Sequence, residues 1–242
     1  MKKRTRIILS ACLAILLVLG VGGYAYLSDY YHADETALEA MAYQTDSVQA
    51  ELDGNVTWFV PENPVAGLIF YPGGKVENKA YAPLMRACTE NGILCALVRM
   101  PGNLAVLDAN AADGLQQKHP EITTWYIAGH SLGGAMAAGY AAAHEKDFDG
   151  LILLAAYSTK DLSQTTLHVL SVYGSEDGVM NRETYEKSRS NLPADTTEVV
   201  LDGGCHAQFG SYGPQDGDGI PTISGEEQVR QTADVIAAFI GQ

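Results

Sequence analysis

The chain has 242 residues, enough for one large domain or two small ones, with 15 Lys and Arg against 29 Asp and Glu. Four of the basic residues (Lys2, Lys3, Arg4, Arg6) precede Ile7, so the remaining 11 against 29 leave the rest at −18, which argues against nucleic acid or anionic lipid headgroups as partners. There is no paired His/Cys ligand spacing and no phosphate-cradling loop, so neither a metal nor another cofactor is expected.

Residues 1–6 form a basic segment expected on the cytoplasmic side. An uncharged run follows from Ile7 to Leu27. At about 1.5 Å per residue it reaches about 30 Å, the thickness of a bilayer core, and predicts a transmembrane signal anchor over 7–27 with the remainder extracytoplasmic at the cell membrane. Two other readings exist: a signal peptide cleaved near Gly23-Tyr24-Ala25, giving a secreted protein, and a lipoprotein signal acylated at Cys12. The run is longer than a typical signal-peptide core, which favours the anchor. Residues 28–54 then read as a juxtamembrane segment with one amphipathic helix in its Ala/Glu-rich stretch 34–51.

From 55 to 242 the pattern is that of one domain without repeats. Short apolar runs at 56–60, 67–71, 93–99, 125–128, 151–155, 169–173 and 198–201 predict strands. Helix-like segments at 78–90, 107–118, 133–145, 181–191 and 225–240 lie between or after them. Strand–helix–strand alternation at this spacing predicts an α/β fold: a mostly parallel central sheet with helices on both faces. Leu151-Ile-Leu-Leu-Ala155 has the continuous apolar character of a strand buried on both sides. Cys88 and Cys95 flank Gly92; a disulfide and two buried thiols are both open readings.

The chemistry concentrates in Gly129-His-Ser-Leu-Gly133, which follows a β-branched and aromatic run and precedes a small-residue helical segment ending near His144. That context is what a nucleophile elbow needs: a strained strand-to-helix turn presenting Ser131, with glycines where a Cβ would crowd it. His130, the variable residue of the elbow, is a candidate substrate contact, with packing as its plainer role. In open sheets of this kind ligands bind at the carboxyl ends of strands, and the partners follow in the order acid, then histidine. Among six histidines, His206 alone follows a late strand end and becomes the general base. The acid is Asp177, in the turn after the preceding strand, with Glu176 and Asp161 as rivals. Cys205 beside His206 raises a Cys–His pair, which neighbouring positions in an extended segment disfavour. For the oxyanion hole one backbone N–H is that of Leu132; the second comes from Gly74 or Lys75, in the loop after the strand 67–71. Asn103, past the end of the strand 93–99, is a candidate pocket residue, and loop capping explains it equally well. The Asp216/Asp218 loop reads as a flexible acidic turn with at most weak cation affinity.

Tyr71-Pro-Gly-Gly74, Met100-Pro-Gly-Asn-Leu-Ala-Val106, Gly129-His-Ser-Leu-Gly-Gly134, Tyr173-Gly-Ser-Glu-Asp-Gly178 and Gly203-Gly-Cys-His-Ala-Gln-Phe-Gly210 together resemble the α/β-hydrolase superfamily. Within it the chain is most similar to the small lidless group catalogued as alpha/beta hydrolase fold family five, akin to dienelactone hydrolases. The resemblance spans about residues 56–240 and implies a Ser131–Asp177–His206 triad. It departs at Pro-Gly-Gly, where many relatives carry His-Gly. Little more than a dozen residues separate Ala155 from Val169, where lids of this fold enter, so an open site is expected. The expected function is a membrane-anchored serine hydrolase on small or accessible acyl esters. An acyltransferase with the same triad and a catalytically silent binding protein are the alternatives. Substrate identity and oligomeric state leave no mark in the pattern.

Overall fold

The structure is a computed structural model that describes residues 3–43 and 48–241, the side chains of 3–11 excepted. The chain divides into two units, Met1–Tyr30 and Tyr31–Gln242. The first is a single helix, α1 (Lys3–Ser28). Among the described residues no helix is long and apolar enough to cross a membrane; the span expected over 7–27 reaches outside the described side chains at 7–11.

The second unit is built on one eight-stranded sheet: β1 (Val48–Asp53), β2 (Val56–Pro61), β3 (Ala66–Tyr71), β4 (Ile93–Val98), β5 (Trp125–His130), β6 (Gly150–Leu154), β7 (His168–Gly174) and β8 (Thr197–Leu201), in the order β1-β2-β4-β3-β5-β6-β7-β8. The pairs β1–β2 and β2–β4 are antiparallel and all others parallel. The seven predicted strands are present. Every residue of β3, β4, β5 and β6 is buried, as their unbroken apolar runs require.

Side chains alternate between two cores. Leu68 and Phe70 face one side, under α3 (Ala82–Glu90) and α6 (Gly225–Ile240), which pack on each other through residues such as Met85 and Ile236. Ile69 and Tyr71 face the other, under α4 (Leu132–Ala143). Helices thus cover both faces. Burying side chains on both surfaces at about 25 cal/mol per Å² is the dominant favourable term for such a sheet.

Two expectations fail. The helix read across 34–51 is instead α2 (Glu35–Ala42), capped by Asp34, and then the edge strand β1. Val48-Gln-Ala-Glu-Leu-Asp53 alternates in period two and pairs with β2, which overrides the helix propensity of Ala and Glu. The helix read over 107–118 is also absent. Short 3-10 turns, Ala105–Leu107 and Gln116–Lys118, flank a run of turns. Asp108, Asn110 and Asp113 favour turns, and Gly114 adopts φ +77°. A further short helix, α5 (Arg182–Ser188), joins β7 to β8, whereas no helix lies between β6 and β7.

The start of this unit is stitched to the loop after β3. Tyr31 bridges Val76: its N–H donates to the Lys75 carbonyl (2.7 Å), and the Glu77 N–H donates to the Tyr31 carbonyl (2.9 Å). Ala37 and Val48 are fully or almost fully buried, so residues from 31 onward belong to the domain rather than to a linker.

Candidate active site

β3 and β5 are neighbours in the sheet, yet the chain leaves β3 toward β4 on one side and returns at β5 on the other. This reversal is the switch point at whose carboxyl edge α/β sheets bind ligands. Ser131 stands there, directly after β5, at φ 52° and ψ −122°. That is a strained conformation for a residue with a Cβ, and it is the turn that an elbow requires. Ser131 holds the N-cap position of α4 but its hydroxyl makes no capping bond. Its N–H donates to the Leu154 carbonyl (2.9 Å), which leaves the side chain uncommitted. The glycines act as read: a Cβ on Gly129 would lie 2.5 Å from the Gly133 carbonyl carbon, and one on Gly133 would overlap the carbonyl oxygens of Tyr71 and Pro72. The absence of side chains lets α4 press against the end of β3.

Asp177 and His206 come together as expected. His206 Nδ1 bonds Asp177 Oδ2 at 2.9 Å, with both side chains buried. Asp177 Oδ1 accepts the N–H groups of Val179 (2.9 Å) and Met180 (2.8 Å), which fixes the carboxylate plane. An ionised acid at this position holds the proton on Nδ1 and leaves Nε2 as the basic nitrogen. Nε2 is buried and has no hydrogen-bond partner among the described residues. Ser131 Oγ also makes no hydrogen bond there, and bonds of this kind often close only with substrate in place.

The rivals fall away. Glu176 is exposed and accepts from the Ser175 hydroxyl (3.1 Å), and Asp161 accepts from its own loop at Ser163 (3.0 Å). Cys205 is buried, and burial above all pushes its thiol up to about 11, so no thiolate nucleophile forms beside His206. Cys88 and Cys95 are buried free thiols; a hydrogen bond to Cys95, then burial, holds Cys88 protonated well above the ordinary thiol range.

On the oxyanion side the two candidate donors differ. The Lys75 N–H donates to the Asn103 carbonyl (2.7 Å), so it is spent within the fold. The Gly74 N–H donates to no group among the described residues, and a Cβ on Gly74 would lie 2.8 Å from a methyl of Leu132. Gly74 and Leu132 therefore face one another. Leu132, at the first position of α4, has an N–H with no intrahelical partner. Asn103, the candidate pocket residue, is half-buried and its backbone carbonyl pins Lys75, both residues having positive φ (55° and 58°).

His130 is also corrected, from substrate contact to support. It is 1% exposed. Its ring lies 4.5 Å from that of His206, and its Nδ1 bonds the Tyr81 hydroxyl (2.8 Å). Tyr81 accepts the Gly73 N–H (3.0 Å) with the same oxygen, so one hydroxyl joins the oxyanion loop to the His130 ring. Burial, then the neighbouring His206, drives the His130 pKa well below the usual value. Burial does the opposite to Tyr81, which stays a phenol. Tyr81 had no sequence signal, being an aromatic in an ordinary helical approach. Asp218, expected in a flexible acidic turn, instead accepts backbone N–H groups with both oxygens and ties that turn to its neighbours.

A family model described as the alpha/beta hydrolase family matches residues 67–230. The chain belongs to that family. Among curated proteins no relative matches it. Similar solved structures include a predicted CIB-like hydrolase from Thermoplasma acidophilum, 17% identical over 79% of this chain and 99% of that one, TM-score 0.58. A dienelactone hydrolase from Anabaena variabilis is 13% identical over 81% and 98%, TM-score 0.60. A monoacylglycerol lipase from Paleococcus ferrophilus is 13% identical over 79% and 99%, TM-score 0.59. At these identities the likeness is one of fold.

Proposed function

We propose that the protein is a serine hydrolase that cleaves small or accessible carboxylic esters through an acyl-enzyme. The observation that carries this reading is the buried, unpartnered Nε2 of His206, on a ring whose other nitrogen is held by Asp177 and whose neighbour, His130, directly precedes the strained Ser131. A buried acceptor without a partner costs free energy and persists where function requires it. Ser131 Oγ attacks the ester carbonyl while its proton passes to Nε2. The Leu132 and Gly74 N–H groups receive the oxyanion. Collapse breaks the C–O bond to the alcohol, which takes the proton from His206, and water then releases the acid by the same route.

The short connection between β6 and β7 supports an open site without a lid, and hence no interfacial activation. Val106 and Leu107, each 56% exposed, stand on the loop that Asn103 ties to the oxyanion turn and give the rim an apolar lip for a modest acyl or alkyl group. The membrane anchor belongs to the same proposal. Its support is the uncharged run 7–27 behind four basic residues, and the exposure of Leu13, Leu16, Leu17 and Leu19 by 65% or more.

The test is labelling with a fluorophosphonate. The wild type is expected to label and Ser131→Ala to lose labelling and at least about 10⁴-fold of esterase rate; equal labelling of both would refute the assignment. A rate jump above the micelle threshold of a long-chain ester would refute the open, lidless site. Release from membranes by alkaline washing would refute the anchor.

A further inference from the structure

Asp218 lies on the loop between the 3-10 turn Ala207–Phe209 and α6, and four backbone N–H groups converge on its carboxylate. Oδ1 accepts from Gly178 (3.1 Å), His206 (3.1 Å) and Gly219 (2.9 Å), and Oδ2 from Ala207 (2.8 Å). Gly178 directly follows Asp177, and His206 is the base itself. One side chain therefore ties the loop of the acid to the loop of the histidine, in charge-assisted bonds about twice as strong as neutral ones. The backbones also meet. A Cβ on Gly219 would overlap the Glu176 carbonyl, and one on Gly178 would lie 2.6 Å from the Gly217 oxygen. Burial alone would raise the Asp218 pKa, but the N–H groups of Ala207, Gly178 and His206 outweigh it and hold the carboxyl below the ordinary carboxylate range.

We propose that Asp218 is the positioning residue of the acid–base pair: it docks the Asp177 loop on the His206 loop and so sets the geometry in which the imidazole is oriented. The kinetic side of this inference rests on the hydrolase reading; the placement rests on the contacts alone. Four titratable groups surround His206: Asp177 at Nδ1, His130 against the ring, Cys205 before it in the chain, and Asp218 at its N–H. Asp177 meets the ring at a nitrogen and Asp218 meets the backbone that carries it, so loss of the Asp218 carboxylate loosens the hold on the bond between Nδ1 and Asp177.

Asp218→Asn keeps the size of the side chain but removes the charge and turns either an amide N–H₂ toward Ala207 N–H or the wrong edge toward Gly178 and His206. In folded Asp218→Asn, verified by a cooperative melt, fluorophosphonate labelling of Ser131 slows about 10- to 100-fold. The NMR resonance of the proton shared by His206 Nδ1 and Asp177 shifts or broadens. Asp216→Asn, at an exposed neighbour, changes neither. An unaltered rate and resonance in folded Asp218→Asn overturns the inference. If that variant does not fold, Asp218→Glu carries the test, since it keeps the charge on a longer arm: slower labelling with a shifted resonance supports the proposal, and a wild-type rate overturns it. The resonance needs no activity. Its shift in Asp218→Asn supports the placement even if the wild type takes no probe, an outcome that counts against the hydrolase reading alone; an unmoved resonance overturns the placement.

Discussion

Ser131 and His206 stand at one rim of the sheet, yet their loops are fixed by opposite means. Around Ser131 the backbone is positioned by missing atoms: Gly129 and Gly133 let α4 approach the end of β3 more closely than any Cβ allows. Around His206 it is positioned by charge, since the carboxylates of Asp177 and Asp218 receive seven backbone or ring N–H groups. The difference teaches where each loop is vulnerable. Steric placement ignores pH and salt but tolerates no added methyl, whereas electrostatic placement tolerates small changes of shape and fails when a charge is lost.

The largest expected effect breaks the electrostatic side. Asp177→Asn keeps the shape but holds the wrong tautomer of His206, and kcat should fall about 10⁴-fold with the fold intact. A loss below tenfold in steady-state assays would show that another group orients the ring. Next comes the steric side: Gly133→Ala should cost about 2–3 kcal/mol in denaturant unfolding, because the methyl meets backbone that cannot yield. Gly139, six positions along α4, has open space around it, and Gly139→Ala should stabilise by about 0.5–1 kcal/mol. Equal effects at the two glycines would undo the comparison.

Tyr81→Phe tests where the two sides touch, since that hydroxyl joins Gly73 to His130. Its removal should slow labelling about tenfold and cost about 1–3 kcal/mol by orphaning the two buried groups it joins. The smallest effect concerns His130 and pH. Its folded pKa is depressed, so the unfolded chain takes up the proton more readily; the stability it contributes is present above about pH 6.5 and is lost as pH falls toward the folded value. The denaturation midpoint should therefore drop between pH 7.5 and 5.5, and less so in His130→Gln; identical drops would contradict that assignment.

The strands β2 to β8 were legible because buried parallel strands write themselves as unbroken apolar runs between turn residues. The elbow was legible because its glycines answer a local steric demand. β1 was not, since an edge strand buried on one face leaves only a weak alternation, here inside an Ala/Glu-rich stretch. Asp218, Tyr81 and the commitment of the Lys75 N–H were hidden for a different reason. Each is defined by a partner 8 to 40 residues away, and nothing local distinguishes an acid that accepts N–H groups from one that faces water.

The two hydrogen bonds by which Tyr31 grips Lys75 and Glu77 make the entry of the chain into its domain part of the catalytic scaffold. Shortening the protein to residue 55, where the apolar strands begin in earnest, would unbuckle the turn that bears Gly74 and strip an edge from the sheet; an autonomous catalytic fragment has to start no later than Tyr31.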